Sequence, residues 1–186
     1  LIFVCVGTPL IENKNVLDLN PIKKVLEQIN GNIKLNNKIT ICIRSTVLPG
    51  TCEELERSFN NSMISIIHNP EFLSQGSAID DSINATRIVI GSDDAISTKK
   101  LYDIYVKCLK TKNKKTPILI MKRKEAEMVK FMANSYLAMR ISFINEMSNL
   151  CEKLDINVSS VVDGVKYDNR IGGHYFKCGI GYGGSC

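Results

Sequence analysis

The chain has 186 residues, 44% of them hydrophobic and 23% charged, which excludes a disordered tail or fibrous repeat and fits one ordinary globular domain with part of a second. Twenty-four Lys and Arg against nineteen Asp and Glu leave a formal charge of +5, which suits a small anionic ligand and is too little to mark a nucleic-acid surface. No apolar run approaches the roughly 18 residues that span a bilayer and no secretory leader opens the chain, so the expected setting is cytoplasmic, with no membrane and no nucleic-acid partner.

Short β-branched runs alternate with helical patterns, the signature of βα units around a mainly parallel sheet. Leu1 to Val6 is a continuous apolar run ending at Gly7-Thr8-Pro9, and reads as a buried strand followed by a loop. Pro21 suits a first helical turn with Asn20 as its cap and Ile22, Val25, Leu26 and Ile29 on one face. A strand is expected over 38–43, then the Arg44-Ser45-Thr46 turn, a Pro49-Gly50 turn and a helix through 53–59. A strand over 63–67 precedes a polar loop over 68–81, and a strand over 87–90 precedes a helix over 94–108. The Lys-rich stretch 107–115 has no interleaved aromatic to stack on bases and reads as a solvated loop before a strand over 117–120.

From Arg123 to Leu154 there is no Pro or Gly, and Ala126, Val129, Ala133, Leu137, Ile141, Ile144 and Leu150 recur at near-helical spacing, so one long helix is expected. A short helix over 159–165 leads to a final segment with six glycines between Gly172 and Gly184, which calls for unusual backbone rather than helix or strand. Leu1 opens directly in a strand-like run and Cys186 closes a glycine-rich approach, so the chain reads as the interior of a longer protein. The expected division is 1–121, the later part of a dinucleotide-binding domain, and 122–186, a linking helix and the start of a helical domain.

Seven cysteines without a Cys-x-x-Cys pair or neighbouring histidines point to reduced thiols and no metal site. Cys186 differs from the other six because Gly181-Tyr182-Gly183-Gly184-Ser185 precedes it, backbone that lets a thiol meet a ligand closely. Lys130 and Asn134 stand at i and i+4 on the long helix, either a pair facing a cleft or a surface lysine with a neighbouring amide. Asn69-Pro70-Glu71-Phe72 follows a buried strand, where open α/β sheets place ligand loops, and leaves Glu71 as a base or as a loop charge.

His68-Asn69-Pro70-Glu71-Phe72-Leu73-Ser74-Gln75-Gly76, Arg44-Ser45-Thr46-Val47, Lys130-Phe131-Met132-Ala133-Asn134, Asn169-Arg170-Ile171-Gly172 and the run Gly181 to Cys186 together resemble the UDP-glucose/GDP-mannose dehydrogenase family over essentially the whole chain. The resemblance implies the second half of a Rossmann-like NAD-binding domain, a long helix and an α-helical central domain, with the glycine-rich phosphate loop expected upstream of Leu1. It implies a four-electron oxidation of a UDP-sugar C6 alcohol to a carboxylate with two NAD, UDP-glucose giving UDP-glucuronate. The alternatives are a UDP-N-acetylhexosamine or GDP-mannose relative and a catalytically silent dimerisation or sugar-nucleotide-binding module. The simpler two-electron β-hydroxyacid dehydrogenases share the helix Lys and Asn but need no nucleophilic cysteine.

Residue by residue, Cys186 matches the family nucleophile, Glu71 its acid/base carboxylate, and Lys130 with Asn134 the pair that stabilises oxyanions and orients water. Thr46 matches the threonine beside the nicotinamide. Val6, Gly7, Thr8, Pro9, Ser45 and Gln75 match the cofactor edge, Gln75 standing where many members carry Glu. Glu71, Phe72, Leu73, Lys130, Asn134, Arg170, Lys177, Gly179, Tyr182 and Gly183 match the sugar-nucleotide grip. Met139, Phe143, Met147 and Leu150 give the long helix more than one apolar stripe, to be buried in a homodimer or, alternatively, against a C-terminal domain.

Overall fold

The computed structural model describes residues 1–14, 16–32, 38–59, 61–74, 76–111 and 115–183. The elements run β1 (Ile2–Val4), α1 (Asn20–Asn32), β2 (Ile39–Ile43), α2 (Thr51–Phe59), β3 (Ile64–His68), α3 (Ala78–Ile83), β4 (Ile88–Gly91), α4 (Ala95–Thr111), β5 (Ile118–Met121), α5 (Arg123–Lys153) and α6 (Val158–Val165). The chain divides into two compact units, Leu1–Phe131 and Met132–Cys186, with the division inside α5.

The first unit is the expected α/β fold. Its sheet runs β1-β2-β3-β4-β5; β1 with β2, β2 with β3 and β4 with β5 are parallel, while β3 meets β4 antiparallel through His68 and Gly91. Alternate side chains of each strand leave by opposite faces, so each face acquires its own core. Ile41 and Ile43 of β2 and Ile64 and Ile66 of β3 pack with Ile22, Leu26 and Ile29 of α1 and Cys52 and Leu55 of α2. Cys42 and Ile67 leave the other way and pack with Ile88, Ile90 and Leu101, flanked by Tyr105 and Leu109 of α4. On that second face the buried Thr40 and Ser97 hydroxyls hydrogen-bond at 2.8 Å. Asp94 also accepts from the Ser97 hydroxyl, which holds its carboxyl down at about 2.

Gly91 sets how closely α5 starts against the sheet. A Cβ there would lie 2.4 Å from the Ala126 Cβ and 3.2 Å from the Arg123 Cα, so only glycine admits the approach. Arg123 then fixes the helix start by ion pairs to Glu56 and, at 2.6 Å, Asp93, and by a 3.1 Å bond to the Ile66 carbonyl.

Several local expectations change. The strand expected to be buried over Leu1 to Val6 spans only Ile2–Val4, with Leu1 and Phe3 exposed. The helix expected to end at 108 runs on to Thr111 and takes up the start of the expected Lys-rich loop, whose residues 112–114 lie outside the described residues. Asn20 is the first residue of α1 rather than its cap, and the Asp18 carboxylate accepts from its amide at 2.9 Å. The polar loop expected over 68–81 turns into α3 from Ala78; none of its residues is buried, so no apolar stripe announces it. Asp81 instead ties it down, accepting from the Ser74 amide at 2.7 Å and the Ser77 hydroxyl at 3.0 Å.

In the second unit α5 runs unbroken to Lys153, as its spacing predicts, and ends where Asp155 takes a left-handed φ of 54°. The Asn157 side chain accepts from the Ser159 amide to start α6. The glycine-rich segment beyond it is turns and irregular backbone, with Gly172 and Gly181 at φ of 65° and 117°. It is held to α5 by Arg140 donating to the Gly172 carbonyl at 3.0 Å and by Phe143 meeting Phe176 edge-on at 6.2 Å. Among the described residues no helix is long and apolar enough to cross a membrane.

Candidate functional site

The carboxyl ends of β1, β2 and β3 lie together, and the loops that leave them carry most of the sequence candidates of the first unit. Those ends are stitched side by side. The Ser45 hydroxyl donates to the Val6 carbonyl at 2.6 Å and the Thr8 hydroxyl to the Thr46 carbonyl at 2.7 Å, so the 6–9 and 45–46 loops form one edge. Gly7 on that edge is exposed, with no atom within 4 Å of where a Cβ would stand. Open backbone at strand ends is the surface on which a dinucleotide lies in such sheets, so the residues present fit the later half of an NAD cradle.

Next along the sheet, Lys130 brings α5 to the loop after β3. Lys130 is 3% exposed, and its ammonium donates to the Glu71 carbonyl at 2.6 Å, with the Glu71 carboxylate at 3.5 Å. The other Glu71 oxygen accepts from the Leu73 amide at 2.9 Å, so one loop supplies two acceptors to the cation and ties down its own carboxylate. A buried ammonium costs too much to leave without partners, and these two oxygens supply them. Phe72 is flanked by the Arg87 guanidinium, 3.8 Å from its ring centroid, and by the Lys130 ammonium at 5.4 Å. A cavity of about 290 Å³ opens beside them, lined among others by Arg44, Asn69, Glu71, Phe72, Arg87 and Tyr105.

Glu127 and Tyr105 in this neighbourhood carry no sequence signal, and His68 stands only as the first residue of the 68–76 motif, with no role of its own. Glu127, one turn before Lys130 and fully buried, accepts from the Gly50 amide at 2.5 Å and the Cys52 amide at 2.8 Å, capping the start of α2 from α5. It thereby fixes the Thr46–Gly50 loop to the helix that carries Lys130. Its helical spacing with Lys130 and Arg123 looks like an ordinary charged face, and only the fold turns it inward. His68 is buried with neither ring nitrogen partnered among the described residues. Burial, helped by the nearby Arg44 and Lys130 charges, lowers its pKa to about 4, so the imidazole is neutral at pH 7. Tyr105, at a helical spacing that reads simply as core, donates its hydroxyl to Asn69 and accepts from Arg44, and burial pushes that phenol up.

The remaining candidates belong to the second unit or fall outside the described residues. Asn134 is half-buried one turn beyond Lys130 on α5. The Gly179 amide donates to the Asn145 side chain at 2.9 Å. Arg170 is exposed and paired with Asp168 at 2.6 Å, and Lys177, Tyr182 and Gly183 are exposed. Gln75 and Cys186 lie outside the described residues. The six described cysteines are free thiols.

Residues 1–109 match the model of the UDP-glucose/GDP-mannose dehydrogenase family NAD binding domain, and residues 124–186 match that of the same family's central domain. The chain belongs to this family. NAD is accordingly the cofactor of the domain type that its first 109 residues form. The chain is 38% identical over 186 residues to UDP-glucose 6-dehydrogenase of Campylobacter jejuni, covering 99% of this chain and 45% of the relative. It is 36% identical to UDP-glucose 6-dehydrogenase of Pseudomonas aeruginosa, covering 100% of this chain and 42% of the relative. A solved UDP-glucose dehydrogenase from Pyrobaculum islandicum superposes with a TM-score of 0.89 at 36% identity, over 99% of this chain and 42% of that one. A solved GDP-mannose dehydrogenase from Pseudomonas aeruginosa gives 0.76 at 30% identity, over 99% and 43%. The chain therefore spans less than half the length of these relatives.

Proposed function

We propose that the protein to which this chain belongs oxidises UDP-glucose to UDP-glucuronate with two NAD, through a covalent adduct on Cys186. The observation that carries the reading is the buried Lys130 ammonium gathered onto the Glu71 carbonyl and carboxylate, beside strand ends that fit the cofactor. A fixed cation at that place stabilises negative charge on a sugar oxygen as its hydrogen leaves, and the adjoining carboxylate takes or returns protons. Bound NAD would supply a hydride acceptor for each of the two oxidations.

The first oxidation takes the C6 alcohol to an aldehyde, its hydroxyl proton leaving as Lys130 and Asn134 hold the oxygen. The Cys186 thiolate then adds to the aldehyde carbon, giving a thiohemiacetal that cannot diffuse away. The second oxidation leaves a thioester, and water activated by Glu71 and oriented by Asn134 attacks it, releasing the carboxylate and restoring the thiol. Val6, Gly7, Thr8, Pro9, Ser45, Thr46 and Gln75 line the cofactor edge. Phe72, Leu73, Arg170, Lys177, Gly179, Tyr182 and Gly183 grip the sugar nucleotide, the two cations suiting its diphosphate. Residues 1–121 act as the later part of the NAD-binding domain and 122–186 as the linking helix and the start of the substrate domain, in a cytoplasmic homodimer that joins through α5. Exposed Met139, Phe143 and Leu150 on α5 support such a joint.

The test is stoichiometry in the full-length polypeptide. Two NADH per UDP-glucose and UDP-glucuronate by mass spectrometry support the reading, while one NADH per sugar with free aldehyde rejects it. Cys186→Ser is expected to stop acid formation while allowing slow first-step oxidation, because an oxygen ester is a poorer acyl donor. Cys151→Ser is expected to change little. A strictly monomeric mass by light scattering at micromolar concentration would reject the dimer.

A further inference from the structure

We propose that Tyr105 is a positioning residue for Glu71, acting through Asn69. The inference rests on the reading that Glu71 and Lys130 work together in the site. Asn69 is 1% exposed and all of its side-chain polar atoms are engaged. Its Oδ1 accepts from Arg44 Nη1 at 2.6 Å and from the Tyr105 hydroxyl at 2.5 Å, and its Nδ2 donates to the Val89 carbonyl at 2.6 Å. Arg44 Nη1 also donates to the Tyr105 oxygen at 2.9 Å, which closes a ring of three side chains.

The directions in this ring are fixed by chemistry. A guanidinium only donates, so the Tyr105 oxygen accepts from Arg44 and its single proton is directed to Asn69. The Asn69 amide is then oriented without choice, oxygen toward Arg44 and Tyr105 and nitrogen toward Val89. Its backbone amide is held as well, donating to the Ile43 carbonyl at 2.9 Å. The next residue is Pro70, whose ring locks its own φ and restricts the backbone of Asn69 before it. With both of these backbones restricted, Glu71 inherits the orientation of Asn69, and it is Glu71 that offers its carbonyl and carboxylate to Lys130. Tyr105 thus connects α4, otherwise a scaffold helix, to the placement of the candidate acid/base.

Tyr105→Phe keeps the ring in its core and removes only the hydroxyl. Asn69 then loses one of two donors and can swing, and a displacement of the order of 1 Å at a reacting group costs up to about a hundredfold in rate. The Leu73 amide, bonded to the Glu71 carboxylate, is a reporter of that swing that needs no substrate.

The experiment compares wild type, Tyr105→Phe and Tyr102→Phe as full-length polypeptides, measuring amide exchange by mass spectrometry together with kcat and KM. Tyr102 lies on the same helix and outside the ring, and its replacement is expected to match wild type in every readout. For Tyr105→Phe, exchange in 71–74 is expected to accelerate about tenfold, with kcat about tenfold lower and KM for UDP-glucose within about threefold. The proposal is overturned by unchanged exchange in 71–74, by faster exchange with unchanged kcat, or by acceleration spread evenly over β3 and α4, which marks a merely structural hydroxyl. If wild type reduces no NAD with any sugar nucleotide, the proposed function fails, and the exchange readout alone still decides whether Tyr105 positions the loop.

Discussion

The two units of the chain are held together in different ways. In residues 1–131 each sheet face closes over its own cluster of fully buried Ile, Leu, Val and Cys side chains. In 132–186 only Ile144 and Cys151 are buried among the described residues, while Met139, Phe143, Leu150, Leu154 and Ile156 stay 47–59% exposed. The first unit therefore draws its stability from burial. The second keeps its form through helix hydrogen bonds and a few side-chain ties to its glycine-rich segment, and leaves apolar surface exposed.

Core truncation gives the widest contrast. Ile41 is fully buried between two parallel neighbours, and Ile41→Ala is expected to cost about 2–5 kcal/mol through lost transfer energy and a cavity. Leu150, 48% exposed, is expected to cost about 1 kcal/mol or less when cut to Ala, since about half of its apolar area is already wet. Urea unfolding measures both, and equal costs would break the contrast.

Acid sharpens it, because the buried neutral histidine belongs to the first unit. The folded pKa of His68 is about 4 against an ordinary 6.5, so between those values the unfolded chain binds the extra proton and the folded one does not. Stability is fully present above about pH 6.5 and is lost as pH falls toward 4, amounting to about 3 kcal/mol at the lower end. In His68→Leu the urea midpoint is expected to lose that slope. A slope as steep as in wild type would assign the acid lability to other groups.

Much of the fold is legible in the sequence because hydrophobic burial, the strongest force shaping it, leaves a periodic trace. The β-branched runs at 39–43, 64–68 and 88–91 and the uninterrupted spacing from 123 read directly as strands and helix, with ends off by a residue or two. The short α3 is not legible, since it buries nothing and is tied by the Asp81 carboxylate instead. That Lys130 and Glu71 share a site is implied only by the family resemblance, the residues alone leaving a surface lysine and a loop charge open, whereas Glu127, Tyr105 and the close pass at Gly91 depend on which elements the fold brings together across more than thirty residues of sequence. A helical Glu or Tyr carries no mark of the backbone it will meet.

Glu127 offers a smaller and more local break. In Glu127→Ala the amides of Gly50 and Cys52 lose their shared acceptor, which is expected to cost about 1–3 kcal/mol for buried donors left unmatched. Glu127→Gln keeps an oxygen for one amide and is expected to fall between Ala and wild type. If Ala and Gln unfold at the same urea concentration as wild type, water has replaced the carboxylate and the loop is not bound to α5 by it.

The smallest effect is expected from the matching tie in the second unit. Asn145 accepts from the Gly179 amide just as Glu127 accepts from Gly50 and Cys52, yet that amide is exposed and the acceptor is neutral. When the side chain is removed, water takes its place at once, so Asn145→Ala is expected to shift global stability by no more than about 0.5 kcal/mol. The local consequence is different in kind. The 177–183 segment has few other anchors among the described residues, and exchange of the Gly179 amide is expected to accelerate several-fold with the urea midpoint unchanged. A drop in global stability as large as that of Glu127→Ala would mean that the second unit is as tightly coupled to its polar ties as the first, and the contrast between the two would fail.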